Sequence, residues 1–319
     1  MTGTPIRLGT RRSALATTQS TLVADALRAR GHDVELVTIV TEGDISRAPL
    51  RTLGGTGVFA AALRAALVRG EVDVAVHSLK DLPTAPHPDL VVAAVPPRED
   101  PRDAVVARDG STLAGLGPEA RIGTGSPRRV AQLNALGWGL RPQDVRGNVD
   151  TRLRLVEDGV VDAVVLAYAG LRRLGLADRV TEVLDPIQML PAPGQGALAV
   201  ECREDDEQVL ASLRILDDPD TRAAVTAERG VLAELGAGCA APVGALAEVV
   251  DDLDAAILSL RAVVAATDGS GDLRRSITGP LGEAEDLGRR LARTLIADGA
   301  PALADLSATH PTTASEHAQ

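Results

Sequence analysis

The strongest constraint on the fold is a pattern that the chain uses twice. Near the N-terminus, Leu8-Gly9-Thr10-Arg11-Arg12-Ser13-Ala14-Leu15 carries a β-prone run through Gly-Thr, two arginines and a serine into a helical pattern. Ile122-Gly123-Thr124-Gly125-Ser126-Pro127-Arg128-Arg129 makes the same passage. A second echo follows in the same order, Gly70-Glu71-Val72-Asp73-Val74-Ala75-Val76 with Gly159-Val160-Val161-Asp162-Ala163-Val164-Val165. Short β-branched runs alternate here with apolar residues at helical spacing, the signature of α/β layers. The two echoes predict two similarly built α/β domains facing one another. Ligands in such folds sit beyond the carboxyl ends of the strands, so both Gly-Thr turns are expected on a shared cleft.

The first strand is expected at residues 6–10, feeding a helix over about 13–30 that stops at Gly31. A strand over 34–40 leads to the glycine-rich loop Gly54-Gly55-Thr56-Gly57, a helix from Val58 and a strand over 72–77. In the second repeat a strand over 161–168 precedes a short helix that Arg172 and Arg173 begin. The texture changes after Asp218-Pro219: a helix over about 221–235, strands over 243–250 and 255–266, a hairpin turn at Thr267-Asp268-Gly269, and a helix carrying Leu287, Leu291 and Leu295. These runs predict a third, smaller α+β domain. The expected division is 1–98 plus about 197–217, about 99–196, and about 218–307, with a polar, disordered tail over 308–319.

Only Phe59, Trp138 and Tyr168 are aromatic, so the cores must be built from alanine, valine and leucine. A formal charge of −11 argues against a nucleic-acid partner. Neither an apolar secretion leader nor a run of about 18 apolar residues is present, which points to a cytoplasmic protein with no membrane partner. Two cysteines, Cys202 and Cys239, form neither a disulfide framework nor a metal-ligand pattern.

Chemistry concentrates in three places. Arg11, Ser13, Ser126, Arg128 and Arg129 lie where strands hand over to helix N-termini, and Arg146-Gly147-Asn148 leads into another at Thr151-Arg152. Free N–H groups and the helix dipole favour anions there, and guanidinium forks suit carboxylates. The set points to a ligand with several carboxylates or phosphates; pairing with the abundant Asp and Glu is the alternative. The second place is His77-Ser78-Leu79-Lys80-Asp81-Leu82-Pro83, at a strand's carboxyl end. Lys80 is the only lysine among 33 basic residues, a position that calls for a compact ammonium or is the chance survivor of an arginine-biased composition. Asp81 could stabilise a developing positive charge, although these residues alone also read as a plain turn ion pair. The third is Cys239, which the neighbouring Gly236, Gly238 and Pro242 place on a loop, whereas Cys202 falls in an apolar strand as an inert core residue.

Taken together, these stretches resemble the porphobilinogen deaminase family from Ile6 to about Gly244. The matching segments are the two Gly-Thr turns, Val76 to Asp81, Arg98-Glu99-Asp100-Pro101-Arg102-Asp103-Ala104, Arg146-Gly147-Asn148-Val149, Ala169 to Gly175, Leu190-Pro191-Ala192-Pro193-Gly194-Gln195-Gly196, and Gly238-Cys239. The resemblance implies two type II periplasmic-binding-protein-like domains flanking a cleft, plus the C-terminal α+β domain, in a monomer. It implies a transferase that condenses four porphobilinogen molecules head to tail, releases four ammonia and yields hydroxymethylbilane. Its cofactor would be a dipyrromethane held by a thioether at Cys239. On the same grounds Asp81 is the catalytic residue and meets pyrrole N–H groups. Lys80, Thr124, Ser126, Arg128, Arg129, Arg146 and Gly147 would hold the cofactor. Arg11, Ser13, Arg152, Arg173 and Phe59 would hold substrate, and no metal is implied. Loss of ammonia leaves an azafulvenium cation, which a carboxylate stabilises, and each pyrrole brings two carboxylates for the arginines. Thr56 stands where the family favours lysine, Gly125 where it favours serine, and Asp150 where a small residue is frequent; the first two weaken carboxylate binding at those positions.

Two other readings share the cleft. A solute-binding or sensing module leaves the Gly-flanked Cys239 unexplained, and a transferase for a phosphorylated substrate lacks a P-loop or metal-ligand cluster.

Overall fold

The computed structural model describes residues 4–39, 58–238, 240–251 and 255–306. The chain runs through β1 (Ile6–Thr10), α1 (Ala14–Arg28), β2 (Val34–Thr38), α2 (Val58–Val68), β3 (Val74–Ser78) and β4 (Leu90–Ala94). It crosses to β5 (Asp103–Ala107), β6 (Arg121–Gly123), α3 (Pro127–Ala135), β7 (Arg141–Gln143), α4 (Val149–Glu157), β8 (Ala163–Ala167), α5 (Tyr168–Arg173) and β9 (Glu182–Val183). It returns as β10 (Leu198–Arg203) and α6 (Glu207–Arg214). The last part is α7 (Pro219–Glu234), β11 (Val243–Asp251), β12 (Ala256–Ala265), β13 (Asp272–Pro280), α8 (Ala284–Ala297) and α9 (Ala300–Leu303).

The repeat in the sequence is a repeat in space. The first sheet has the order β2-β1-β3-β10-β4 and the second β7-β6-β8-β5-β9, each with two parallel pairs and two antiparallel ones. Leu8 pairs with Val74 in one and Ile122 with Ala163 in the other, so the two echoes superpose residue on residue. The same ion pair pins both. Arg7 donates to Asp73 from its backbone N (3.0 Å) and from Nη2 (2.7 Å), as Arg121 does to Asp162 (2.8 and 2.9 Å). These are the two similarly built α/β units that the sequence echoes predict. Their cores hold alanine, valine, leucine and isoleucine, as the shortage of aromatics requires.

One local expectation is corrected. The β5–β8 ladder ends at the pair Asp103–Ala167, and the Tyr168 N–H turns to the Arg102 carbonyl (3.0 Å), so the strand stops before Tyr168. The helix begins there, and Arg172 and Arg173 close it instead of opening it. They therefore lie at the carbonyl end, away from the free N–H groups that attract anions.

In the C-terminal unit the antiparallel sheet β11-β12-β13 is covered on one face by α7 and α8, with Val231, Leu258, Leu260, Leu287, Leu291 and Leu295 buried between. Two crossovers, residues 95–102 and 184–197, connect the first two units. They run so close that a Cβ on Gly196, itself at φ +88°, would lie 2.3 Å from the Glu99 carbonyl oxygen. Glu228 of α7 locks this junction. Fully buried, it accepts from Arg98 Nη1 (2.7 Å) and Nη2 (3.0 Å) on the first crossover, Gly194 N (2.6 Å) on the second, and Ala247 N (2.9 Å) on β11. One carboxylate thus fastens all three units. Glu228→Ala strands the Arg98 guanidinium and two backbone donors, and is expected to cost about 3–5 kcal/mol. Urea unfolding checks this; a change within about 0.5 kcal/mol, as at a surface site, contradicts it.

Candidate active cleft

The turns at the carboxyl ends of β1, β3 and β6 carry most of the residues singled out from the sequence. Ser13 is the N-cap of α1, its hydroxyl accepting from Ala16 N (3.3 Å), and Arg11 is half-buried at the same turn. After β3 the chain makes a single 3₁₀ turn, Leu79–Asp81, which leaves Lys80 half-buried and Asp81 exposed. Ser78 is steadied by Gln19 of α1, whose Nε2 donates to its Oγ (3.0 Å). After β6, Thr124 is buried and its Oγ1 accepts from Ser126 N (3.3 Å), with Pro127 opening α3. The glycine at 125 has a local reason: a Cβ there would sit 2.9 Å from the Val145 carbonyl oxygen. The turn therefore packs directly against the segment that carries Arg146.

Arg128 and Arg129 do not lie on the surface of α3. Both are buried and share one fully buried carboxylate, Asp103 at the start of β5. Arg128 Nη1 is 2.8 Å from Asp103 Oδ2 and donates to the Leu190 carbonyl (2.7 Å). Arg129 Nη2 donates to Asp103 Oδ1 (2.8 Å) and Nη1 to the Val165 carbonyl (2.9 Å). Burial alone would raise the Asp103 carboxyl, but the two guanidiniums outweigh it and hold it well below the usual carboxylate range. Gln195, also buried, extends the cluster across the two units: its Nε2 donates to Asp103 Oδ1 (2.8 Å), and its Oε1 accepts from Lys80 Nζ (3.3 Å).

This surrounding leaves Lys80 a weakened base. Burial lowers its pKa to about 8; Asp81 and Asp103 pull it up, and Arg129 and Arg128 push it down. Arg152 is depressed to about 10, first by burial and then by Arg129 and Arg146. Arg152 Nε donates to the Gly147 carbonyl (3.0 Å), and Arg146 Nη2 to Asp144 (3.3 Å). Lys80, Arg128, Arg129, Arg146 and Arg152 thus form one electrostatic group, five cations set against the carboxylates Asp81, Asp103 and Asp144. Among the described residues, Arg128 Nε and Arg146 Nε and Nη1 are buried N–H donors without an acceptor. Such donors fit carboxylates brought by a ligand.

Arg173 stands apart. Its Nη2 donates to the Gly196 carbonyl (2.6 Å) on the second crossover, and burial lowers its pKa against the opposing pull of Glu99. With Leu22, Pro96, Pro97 and Ile215 it lines a cavity of about 480 Å³. Cys202 lies fully buried in β10, its thiol pushed up to about 11 by burial, as an inert core cysteine should be. Cys239, the side chain of Phe59, and residues 54–57 with Thr56 lie outside the described residues. So does the 308–319 tail.

Two α/β units of one topology meet at a cationic cluster with a carboxylate at its edge, an arrangement suited to a ligand that carries carboxylates. Residues 6–211 match the family model described as porphobilinogen deaminase, dipyromethane cofactor binding domain, and residues 222–297 match its C-terminal domain. A porphobilinogen deaminase of Nocardia farcinica is 57% identical over 316 residues, covering 97% of this chain and 91% of its own. Those of Mycobacterium bovis and Mycobacterium tuberculosis are 60% identical over 300 residues, covering 92% of this chain and 97% of theirs. Among solved structures, the methionine binding protein MetQ is similar over 66% of this chain and 89% of its own, at 14% identity and a TM-score of 0.43. The chain belongs to the porphobilinogen deaminase family, whose members are transferases, and its N-terminal two thirds are the dipyrromethane cofactor-binding domain of that family.

The Asp103 cluster makes a stability prediction with a definite sign. A carboxyl held below its unfolded value stabilises the fold above about pH 4 and ceases to do so only as pH falls through its lowered native pKa. Asp103→Asn should therefore cost about 3–5 kcal/mol at neutral pH, with the deficit steady down to about pH 5 and shrinking only in stronger acid. Urea unfolding across that range checks it, and a deficit that vanishes by pH 5 contradicts it.

Proposed function

We propose that this chain condenses four porphobilinogen molecules head to tail into hydroxymethylbilane. Four ammonia are released, and a final addition of water frees the product. The observation that carries the reading is the cationic cluster at the strand ends, with the buried donors Arg128 Nε and Arg146 Nε and Nη1 that no internal acceptor meets. Each substrate pyrrole brings an acetate and a propionate, so a growing chain presents carboxylates in the number such a cluster can use.

The roles follow from position. Lys80, Arg128, Arg129 and Arg146, with the Thr124 and Ser126 hydroxyls and the Gly147 backbone, would hold the dipyrromethane. That group supplies the pyrrole carbon to which the first substrate is joined, and a thioether at Cys239 anchors it. Arg11, Ser13, Arg152 and Arg173 would receive substrate carboxylates, and Phe59 would lie beside the substrate. Asp81, exposed where the β3 turn ends, is the proposed catalytic residue. Its carboxylate faces the positive charge that develops on the incoming pyrrole as the aminomethyl C–N bond breaks and ammonia leaves. We further propose a monomer acting in the cytoplasm, divided at residues 98–99, 196–197 and 217–218. No helix among the described residues is long and apolar enough to cross a membrane.

The experiment is single-turnover ammonia release by cofactor-loaded protein given porphobilinogen, with product identified as hydroxymethylbilane. Asp81→Asn keeps the shape but loses the charge; a loss of a few kcal/mol in transition-state stabilisation slows release by about a hundredfold or more. Asp81→Glu should retain part of the rate. Equal rates for Asp81→Asn and wild type would make Asp81 a structural partner of Lys80.

A further inference from the structure

The side chain of Gln195 lies between the two crossovers, outside the groups assigned to cofactor and substrate. It is fully buried, yet it lies in a crossover between two units and uses both ends of its amide. Nε2 donates to the Pro101 carbonyl (2.7 Å), reaches the Arg102 carbonyl (3.3 Å) and donates to Asp103 Oδ1 (2.8 Å), all on the other crossover or the strand it enters. Oε1 faces the opposite way and accepts from Lys80 Nζ at 3.3 Å. The backbone carbonyl of Gln195 accepts from Arg98 Nε (2.8 Å), which ties this residue to the Glu228 junction.

We propose that Gln195 is a positioning residue for the reaction: its amide joins the two crossovers and holds the Lys80 ammonium to the Asp103–arginine cluster. The inference rests on the reading of Lys80 as a carboxylate-binding group in the cleft. The chemistry of an amide suits the task. A carboxylate in this place would set a second negative charge against Asp103 and two carbonyl oxygens. An apolar side chain would leave Lys80 with no acceptor on this side. An amide presents two N–H donors to one unit and a carbonyl acceptor to the other without adding charge.

The charged groups facing Lys80 make the link consequential. Asp81 lies on its own turn, Asp103 on β5, Arg128 and Arg129 on α3, while Arg229 of α7 donates to the Leu82 (2.9 Å) and Pro83 (2.6 Å) carbonyls just beyond the turn. Burial and the two α3 arginines oppose protonation. An acceptor on Nζ favours the charged form, so its loss should lower the titration midpoint of the ammonium.

Because Lys80 is the only lysine of the chain, it can be followed alone. In cofactor-loaded protein labelled with lysine carrying ¹³C at the ε-carbon, a single resonance reports its titration. Gln195→Met should lower the midpoint relative to wild type by about one pH unit, the loss of one hydrogen bond to a charged group. Gln195→Glu, nearly the same shape and carrying an oxygen toward Nζ, should raise it. Simple loosening of the junction would admit water and move both variants upward, toward an ordinary lysine. Upward movement in Gln195→Met, or midpoints unchanged in both variants, overturns the proposal. The alkaline limb of kcat should shift with the resonance in each variant. If the resonance moves as expected and the limb stays fixed, Gln195 does hold Lys80, and the reading of Lys80 as a cleft group in the reaction is what fails.

Discussion

A guanidinium taken out of water costs several kcal/mol unless a counter-charge and hydrogen-bond acceptors go with it. Arg128 and Arg129 both make that move and share a single carboxylate, Asp103, together with the carbonyls of Leu190 and Val165. This economy shapes the cleft. With fewer internal counter-charges than cations, the cluster is stable enough to be built but keeps donors for anions that arrive from outside. Burial is the first cause that lowers the pKa of Lys80 to about 8 and that of Arg152 to about 10, and neighbouring arginines add to it in both. A ligand bearing several carboxylates supplies what the protein leaves out.

The fold serves this arrangement through duplication. Two sheets of one strand order place equivalent turns on either side of one cleft, and the repeated pairs Arg7–Asp73 and Arg121–Asp162 fix the strands that carry them. The units could move apart on two crossovers were it not for side chains that bind both. Glu228 gathers Arg98, Gly194 and Ala247, and Gln195 reaches from one crossover to the other. The C-terminal unit, which the sequence places next to the loop of Cys239, is therefore fastened to the same junction that positions the cationic cluster.

Much of this was legible in the order of residues because periodicity and turn chemistry are local. The echo of Leu8-Gly9-Thr10 in Ile122-Gly123-Thr124 gave the paired units, and the run after Asp218-Pro219 gave a different third one. What remained hidden depends on partners distant in sequence. Asp103 could have been noticed as a lone acid opening the apolar run Ala104-Val105-Val106-Ala107, since a charge in a buried strand must be paired. Glu201, inside Ala199-Val200-Glu201-Cys202, carries the same signal and meets Arg64 (2.8 Å) and His77 (3.2 Å). Neither residue announces which arginine it will find. The arginines of α3 looked like surface anion binders for the same reason: a helix N-terminus shows in sequence, but the strand end beneath it does not. Gln195 was visible only as part of a Pro-Gly segment, and its reach into both crossovers is a fact of packing.

The central claim is that the cleft is short of negative charge and that the ligand's carboxylates make up the deficit. The direct measurement is the titration of Lys80, by its single ¹³C resonance, in cofactor-loaded protein and in the Cys239→Ser chain that cannot form the thioether. The midpoint should lie near 8 without the cofactor and move toward the ordinary 10.5 when dipyrromethane carboxylates join the cluster. The same midpoint in both proteins would mean that the ligand's carboxylates are held elsewhere, and the account of the cleft would be wrong.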